Sequence, residues 1–195
     1  LSAGTDNGDG SWTLTPEQLE GLTVTPATDS ADDFQLTVTA TSQDGDDTTS
    51  VSETLDVTVQ GVADGASVTD TSASGAEDTA IPFTVDVSEL DTDGSETLTV
   101  TLSDIPEGAI ITRNGEPVAV NEDGSVTLGE GELDGLAITP PEDYSGSFDL
   151  TVSAQTTDEG DVSEVTTGSV SIDVAGVADG AALDFGTAQG DEDTA

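Results

Sequence analysis

Residues 61–80 read GVADGASVTDTSASGAEDTA and residues 176–195 read GVADGAALDFGTAQGDEDTA; without a gap the two blocks share 12 of 20 positions at an offset of 115. Internal repetition at a fixed period constrains a fold strongly, because every copy must solve the same packing problem. The match runs backward along the chain. Asp9-Gly10-Ser11 returns as Asp123-Gly124-Ser125, at an offset of 114. Leu22, Val24, Thr25 and Pro26 return as Leu136, Ile138, Thr139 and Pro140. Phe34, Leu36, Thr37, Val38 and Ala40 return as Phe148, Leu150, Thr151, Val152 and Ala154. One extra residue near Asp158–Asp161 shifts the offset to 115, after which Leu55, Val57 and Val59 return as Val170, Ile172 and Val174. A period of about 115 residues suits a single domain. The expected division is residues 1–62 as the C-terminal part of one repeat, 63–177 as a complete repeat and 178–195 as the start of the next, cut from a longer tandem array.

Within the complete repeat, apolar and polar residues alternate with period two. Phe83, Val85 and Val87 form one run, Leu98, Val100 and Leu102 a second, Phe148, Leu150, Val152 and Ala154 a third, and Val170, Ile172 and Val174 a fourth. Each run has one apolar and one polar face, as a strand of a two-sheet sandwich requires. Turn pairs separate them: Asp93-Gly94, Asn114-Gly115, Asp123-Gly124 and Ser145-Gly146, with Pro106-Glu107-Gly108. Helix is confined to one turn at Thr15-Pro16-Glu17-Gln18, which has capping-box chemistry, and to its counterpart at Gly129–Leu133. Seven or eight strands per repeat are expected, so the fold class is all-β, a tandem immunoglobulin-like β-sandwich.

Charge sets the chemistry. The chain carries 42 acidic residues against one basic one, Arg113, for a formal net charge of −41, and it has no His, Cys or Met. A basic patch for nucleic acid or anionic lipid cannot be assembled. Catalysis by His, Cys or Lys is excluded, as are Cys/His zinc sites. No apolar run reaches the length of a membrane span. Low hydrophobicity with high charge ordinarily means disorder, but the ordered alternation and the repeat argue for a folded chain. Without cysteine, something other than a disulfide must lock it.

Acids gather at turns: Asp91-Thr92-Asp93-Gly94-Ser95-Glu96; Glu77-Asp78-Thr79, repeated as Glu192-Asp193-Thr194; and the linker Val62-Ala63-Asp64-Gly65, repeated as Val177-Ala178-Asp179-Gly180. An antiparallel sandwich alternates the chain between its two ends. A first strand running down from the linker puts Glu77 and Asp78 at the lower end. The return strand brings Asp91, Asp93 and Glu96 back beside Asp64, with the Asp158–Asp161 loop at the same end. The last strand leaves at Asp179, beside Glu77 and Asp78. Like charges at such spacing raise one another's pKa or recruit a cation. Lys is absent and Arg113 stands alone, so the cation must come from solution. Ca²⁺ takes six to eight oxygen ligands in flexible geometry, whereas Mg²⁺ keeps its waters. The segment from Asp91 is not a helix-loop-helix calcium loop, because its twelfth position is Leu102. The competing reading is that Asp-Gly pairs simply make turns.

Three other features have structural readings. Trp12, at the position of Val126, reads as a core or near-core strand residue. Tyr144 reads as a corner tyrosine tying a loop to backbone. Thr-rich strands read as exposed faces of high β-propensity.

Glu77-Asp78-Thr79-Ala80-Ile81-Pro82, Asp91 to Glu96, Gly4-Thr5-Asp6-Asn7-Gly8-Asp9-Gly10-Ser11-Trp12 and Val62-Ala63-Asp64 together resemble the tandem extender repeats of giant bacterial adhesins. These are cadherin-like or immunoglobulin-like repeats of RTX-type surface proteins exported by type I secretion. The resemblance implies a non-catalytic, extracellular rod on the bacterial cell surface, stiffened by Ca²⁺ at its domain junctions, that holds adhesive domains away from the cell in adhesion or biofilm formation. On that pattern, calcium roles fall on Asp64, Glu77, Asp78, Asp91, Asp93, Glu96 and Asp179. The partners implied are the neighbouring repeats of the same chain, with no nucleic acid and no membrane insertion. Two rival readings stand beside it. One is a repeat that self-associates laterally or end to end into an extracellular filament or sheath. The other is a glycan- or ice-binding module on the Thr-rich face. An enzyme is the weakest fit, since acids at repeated turns beside linkers suit metal bridging better than a single cleft.

Overall fold

The computed structural model describes residues 1–91, 93–180, 183–187 and 189. The second copy of the lower acid turn, Glu192-Asp193-Thr194, lies outside them. Among the described residues, regular structure is strand, apart from two short 3-10 turns.

In the N-terminal part, β1 (Thr5–Asp6) pairs antiparallel with β2 (Trp12–Thr13). A 3-10 turn at Pro16–Leu19 follows, where the Gln18 side-chain oxygen accepts the Thr15 amide at 2.8 Å, as capping-box chemistry requires. Then β3 (Phe34–Asp44) and β4 (Asp47–Val57) form a long hairpin, in register from Phe34 opposite Val57 to Asp44 opposite Asp47. Val38, Val51 and Leu55 on this hairpin are 55%, 62% and 53% exposed. The counterparts of Val38 and Leu55, Val152 and Val170, are buried, because there a second sheet covers them.

The segment expected to be a complete repeat runs through β5 (Ala66–Thr69), β6 (Thr71–Ala76), β7 (Ile81–Pro82), β8 (Asp86–Glu89), β9 (Thr97–Ser103), β10 (Ile110–Arg113) and β11 (Glu116–Pro117). It continues through β12 (Val126–Gly129), the second 3-10 turn at Glu130–Glu132, β13 (Leu136–Thr139), β14 (Gly146–Asp158), β15 (Asp161–Val162) and β16 (Thr166–Ala175). One sheet has the order β12-β9-β14-β16-β6, with β15 paired to the end of β14; the other has the order β11-β10-β13-β7. β5 pairs antiparallel with β8. β6 pairs parallel with β16, and the other ladders are antiparallel.

The two sheets enclose one core. On β9, Leu98, Val100 and Leu102 are buried while Thr97 and Thr99 face outward. Ile138 from β13, Leu150 from β14 and Ile172 from β16 are wholly buried with them. Each such side chain contributes about 1.5–3 kcal/mol by leaving water. The architecture is therefore an all-β, immunoglobulin-like sandwich.

Three expectations need correction. Phe83, Val85 and Val87 do not form one strand. β7 pairs with β13 and β8 with β5, so the chain changes partner between them; Phe83 and Val85 are buried in the crossing segment, where the Phe83 amide bonds to the Leu136 carbonyl at 3.1 Å. Partner changes of this kind also divide the expected seven or eight strands into the twelve segments from β5 to β16. Trp12 is 36% exposed, whereas Val126 at the same repeat position is wholly buried. Val126 lies opposite Leu102 of β9 under the second sheet, whereas among the described residues the one strand paired with β2, which carries Trp12, is the two-residue β1.

The Tyr144 hydroxyl donates to the Ser147 carbonyl at 3.0 Å, and its ring meets Phe148 edge-on with centroids 5.7 Å apart. It is a corner tyrosine. No helix among the described residues is long and apolar enough to cross a membrane.

Candidate metal centre at the repeat junction

Carboxylates collect along the segment between β4 and β5. Asp64 supplies one. The turn after β8 supplies Asp91, which is 7% exposed; its Oδ1 accepts the Asp93 amide at 2.7 Å and its Oδ2 accepts the Ser95 hydroxyl at 3.3 Å. The same turn positions Glu96, whose Oε1 accepts the Asp64 amide. Its Oε2 is buried with no hydrogen-bond partner. Carboxylate oxygens of Asp64, Asp91 and Glu96 lie within 4.8 Å of one another. The topology read from the sequence therefore brings these acids together as expected.

Asp93 stands slightly apart. It is exposed, and its Oδ1 accepts the Ser95 amide at 2.7 Å. Hydrogen bonds from the Ser95 hydroxyl and amide, joined by a bond with Asp91, hold its carboxyl below the ordinary range. It contributes charge to the group rather than a place within it.

Three further acids join: Asp158, from the loop expected at this end, and Asp29 and Glu89, which the motifs do not single out. Asp158, at the end of β14, is 4% exposed. Burial pushes its carboxyl pKa up, and the charges of Glu159, Glu96, Asp93 and Asp91 push it further. Asp29 comes from the loop that precedes β3. Burial raises its pKa too, followed by the charges of Asp91, Asp64 and Asp93. Glu89, at the end of β8, is raised by burial and then by Glu130, Glu96 and Asp91, and its Oε1 is buried without a partner. Asp29, Gly61, Asp64 and Asp158 line one cleft of about 260 Å³.

The lower end carries a second group. Carboxylate oxygens of Asp78, Asp143 and Asp179 lie within 4.8 Å of one another, all three residues exposed. Asp78 Oδ1 accepts the Asp143 amide at 3.2 Å. Glu77 is 7% exposed, and its Oε1 accepts the Val177 amide at 2.5 Å. So Glu77, Asp78 and Asp179 share one end, as the topology required, with Glu77 anchoring the departing linker.

Asp143 was missed by motif reading, yet the repeat carries its signal. Asp29 returns as Asp143 at the same offset of 114 that relates Pro26 to Pro140, although Ala27, Thr28 and Ser30 return as Pro141, Glu142 and Tyr144. Asp64 likewise returns as Asp179. Asp29 and Asp64 at the upper end of the complete repeat are thus the counterparts of Asp143 and Asp179 at its lower end.

The donor set is oxygen throughout, and no cationic side chain pairs with it among the described residues. Arg113, the one basic residue, bonds the Gly131 carbonyl at 2.5 Å and pairs with Glu132 at 3.6 Å. The unpartnered buried oxygen of Glu96, facing two further carboxylates, fits a hard divalent cation such as Ca²⁺.

No protein-family model matches the chain, and no curated protein sequence matches it. Among solved structures, it is similar to a mouse cadherin-23 fragment, EC22-24, at 21% identity and a TM-score of 0.42, over 75% of this chain and 43% of that one. It is similar also to EC1-3 of mouse clustered protocadherin gamma C3, at 18% identity and a TM-score of 0.40, over 73% of this chain and 43% of that one. A protocadherin gamma B7 EC3-6 structure matches at 21% identity and a TM-score of 0.41, over 73% of this chain and 32% of that one. The chain spans less than half the length of each.

Proposed function

We propose that this chain is a stretch of non-catalytic spacer repeats from an extracellular, cell-surface adhesin of the bacterial type, and that Ca²⁺ at the repeat junctions stiffens the array. Residues 1–62, 63–177 and 178–195 are then parts of three successive repeats. The observation that carries this reading is the gathering of Asp64 from the linker and Asp91 and Glu96 from the following repeat around one buried, unpartnered carboxylate oxygen, beside a cleft that Asp29 of the preceding repeat lines with Asp64.

Asp64, Asp91 and Glu96 would hold the ion, with Asp29 and Asp158 supplying the flanking charge. Bound there, the cation neutralises carboxylates that otherwise repel one another across the junction. The protein's part is to fix the donors. The turn at Asp91 orients one carboxylate through the Asp93 amide, and the Asp64 amide orients Glu96, leaving the second oxygen of Glu96 free. At the lower end, Asp78, Asp143 and Asp179, with Glu77 on the linker, offer the matching half of the next junction.

The test is a thermal melt in chelator, in millimolar CaCl₂, and in NaCl of equal ionic strength. A ligand bound only by the native state at 100 times its Kd stabilises by about 2.7 kcal/mol, so a rise in Tm specific to calcium is expected. An equal rise in NaCl would reduce the acids to a screened surface and end the metal reading.

A further inference from the structure

The junction segment's backbone amides are distributed unequally between the repeats it joins. The Val59 amide donates to Asp33 Oδ1 at 2.9 Å, within the N-terminal part. Two residues on, the partners change. The Gly61 amide donates to Glu159 Oε2 at 3.2 Å and the Ala63 amide to Asp161 Oδ2 at 3.0 Å. The Asp64 amide donates to Glu96, and the Gly65 amide to the buried Thr156 hydroxyl at 2.9 Å. The Gly65 carbonyl accepts the Leu90 amide at 3.0 Å. All of these partners belong to the following repeat. Contact in the other direction is thin: Val177, which is Val62 one repeat later, donates to Glu77 of the repeat it is leaving.

We propose that residues 61–65 form a strap fixed to the following repeat by amide–carboxylate and amide–hydroxyl bonds that need no cation, so that bending in metal-free protein is confined to the chain on the N-terminal side of Gly61. Glu159 and Asp161, at the tip of the β14–β15 hairpin, are the positioning residues of this strap. A carboxylate accepting a backbone amide makes a charge-assisted bond, stronger than a neutral one. Gly61 and Gly65 are themselves buried, where an unmade amide bond is costly. The strap deepens the junction reading by placing the site of flexibility, and it rests on that reading only in treating 61–65 as the boundary between repeats.

Amide hydrogen exchange followed by NMR on the 195-residue chain, in chelator and in CaCl₂, tests it. In chelator, the amides of Gly61, Ala63, Asp64 and Gly65 should exchange at least about tenfold more slowly than in an unstructured peptide, the protection expected of one charge-assisted bond. The Gln60 amide should not. The double variant Glu159→Ala with Asp161→Ala should release Gly61 and Ala63 and leave Asp64, Gly65, β14 and β16 protected. Glu159→Gln, which keeps an acceptor oxygen, should retain most of the protection at Gly61. Strap amides that exchange at peptide rates in chelator and slow only with CaCl₂ would overturn the proposal, because the cation would then form the strap. Loss of protection throughout β14 and β16 in the double variant would also overturn it. Failure of the calcium reading would appear separately, as no calcium-specific change in Tm with strap protection in chelator intact.

Discussion

Asp29 and Asp143 hold the same place in successive repeats, and each stands beside the linker aspartate of its own junction, Asp64 and Asp179 respectively. Both carry positive φ, 61° and 57°. Few non-glycine residues adopt that conformation, but Asp tolerates it by bonding locally. The loop is thus bent to aim a carboxylate at the linker. Asp143→Asn keeps the backbone tolerance and removes the charge. It should weaken calcium binding at the lower group by about tenfold, on the scale of changes around metal ligands, with little change of Tm in chelator. Calorimetric titration with CaCl₂ checks the first and a melt the second.

Glu96→Gln separates two roles of one side chain. The amide oxygen can still accept the Asp64 amide, while an NH₂ replaces the unpartnered Oε2. In chelator the variant should melt at the same temperature or higher, since a like charge has gone. In calcium it should lose most of the ion-specific rise in Tm. A variant that melts lower in chelator and responds fully to calcium would remove Glu96 from the site.

The pH dependence of stability should change sign with calcium. Asp29, Glu89 and Asp158 have folded pKa values raised mainly by burial. The native state then binds more protons than the unfolded one between the ordinary and the raised values, so stability falls as pH rises through that window. In chelator, Tm should therefore climb as pH is lowered from 7 toward the ordinary carboxylate range. Below that range it should fall, because Asp93 and Asp123, held low mainly by the Ser95 and Ser125 hydroxyls, then lose their bonds. With saturating calcium, protons compete with the ion, and Tm should fall throughout acidification. Parallel melts at matched pH check the reversal.

Gly61→Ala should act on the junction alone. A Cβ at Gly61 would overlap the Asp158 carboxylate. Overpacking of this kind costs about 1–3 kcal/mol, and here it falls on docking of the linker. Calcium affinity should drop about tenfold, while core amides of β9 and β14 keep their exchange rates in chelator.

Leu150→Ala is the opposite control. Leu150 is wholly buried, and its truncation should cost about 2–5 kcal/mol, with or without calcium. Denaturant unfolding in both conditions measures it.

Much of the fold is legible in the sequence, for physical reasons. Period-two alternation at Leu98, Val100 and Leu102, or at Val170, Ile172 and Val174, reports burial of one sheet face, and those strands formed. The direction of each strand then decided which end received Asp64 and Asp91 and which received Asp78 and Asp179. Sequence alternation could not show where a strand changes partner. Phe83 and Val85 keep the pattern, yet they lie in a crossing segment between sheets. Nor do single acids announce themselves. Asp29 sits outside the acidic turns, and only the fold places it beside the linker, whereas Asp158 belongs to the Asp158–Asp161 loop that strand direction already puts at that end. Trp12 shows the remaining difficulty: burial is a property of the covering partner, which the residue's own apolarity does not supply.

The parallel pairing of β6 with β16 has a mechanical consequence. From the linker the chain passes through β5 directly into β6, and it leaves just after β16; β6 and β16 lie side by side over six paired positions, from Thr71 opposite Val170 to Ala76 opposite Ala175. Tension applied through the two linkers draws the strands in opposite directions along their common axis. The ladder is then loaded in shear, so its hydrogen bonds share the force and must rupture together instead of peeling one by one. Resistance to such a pull is set by the rate of unfolding, not by its equilibrium, and a domain of modest equilibrium stability can therefore bear it.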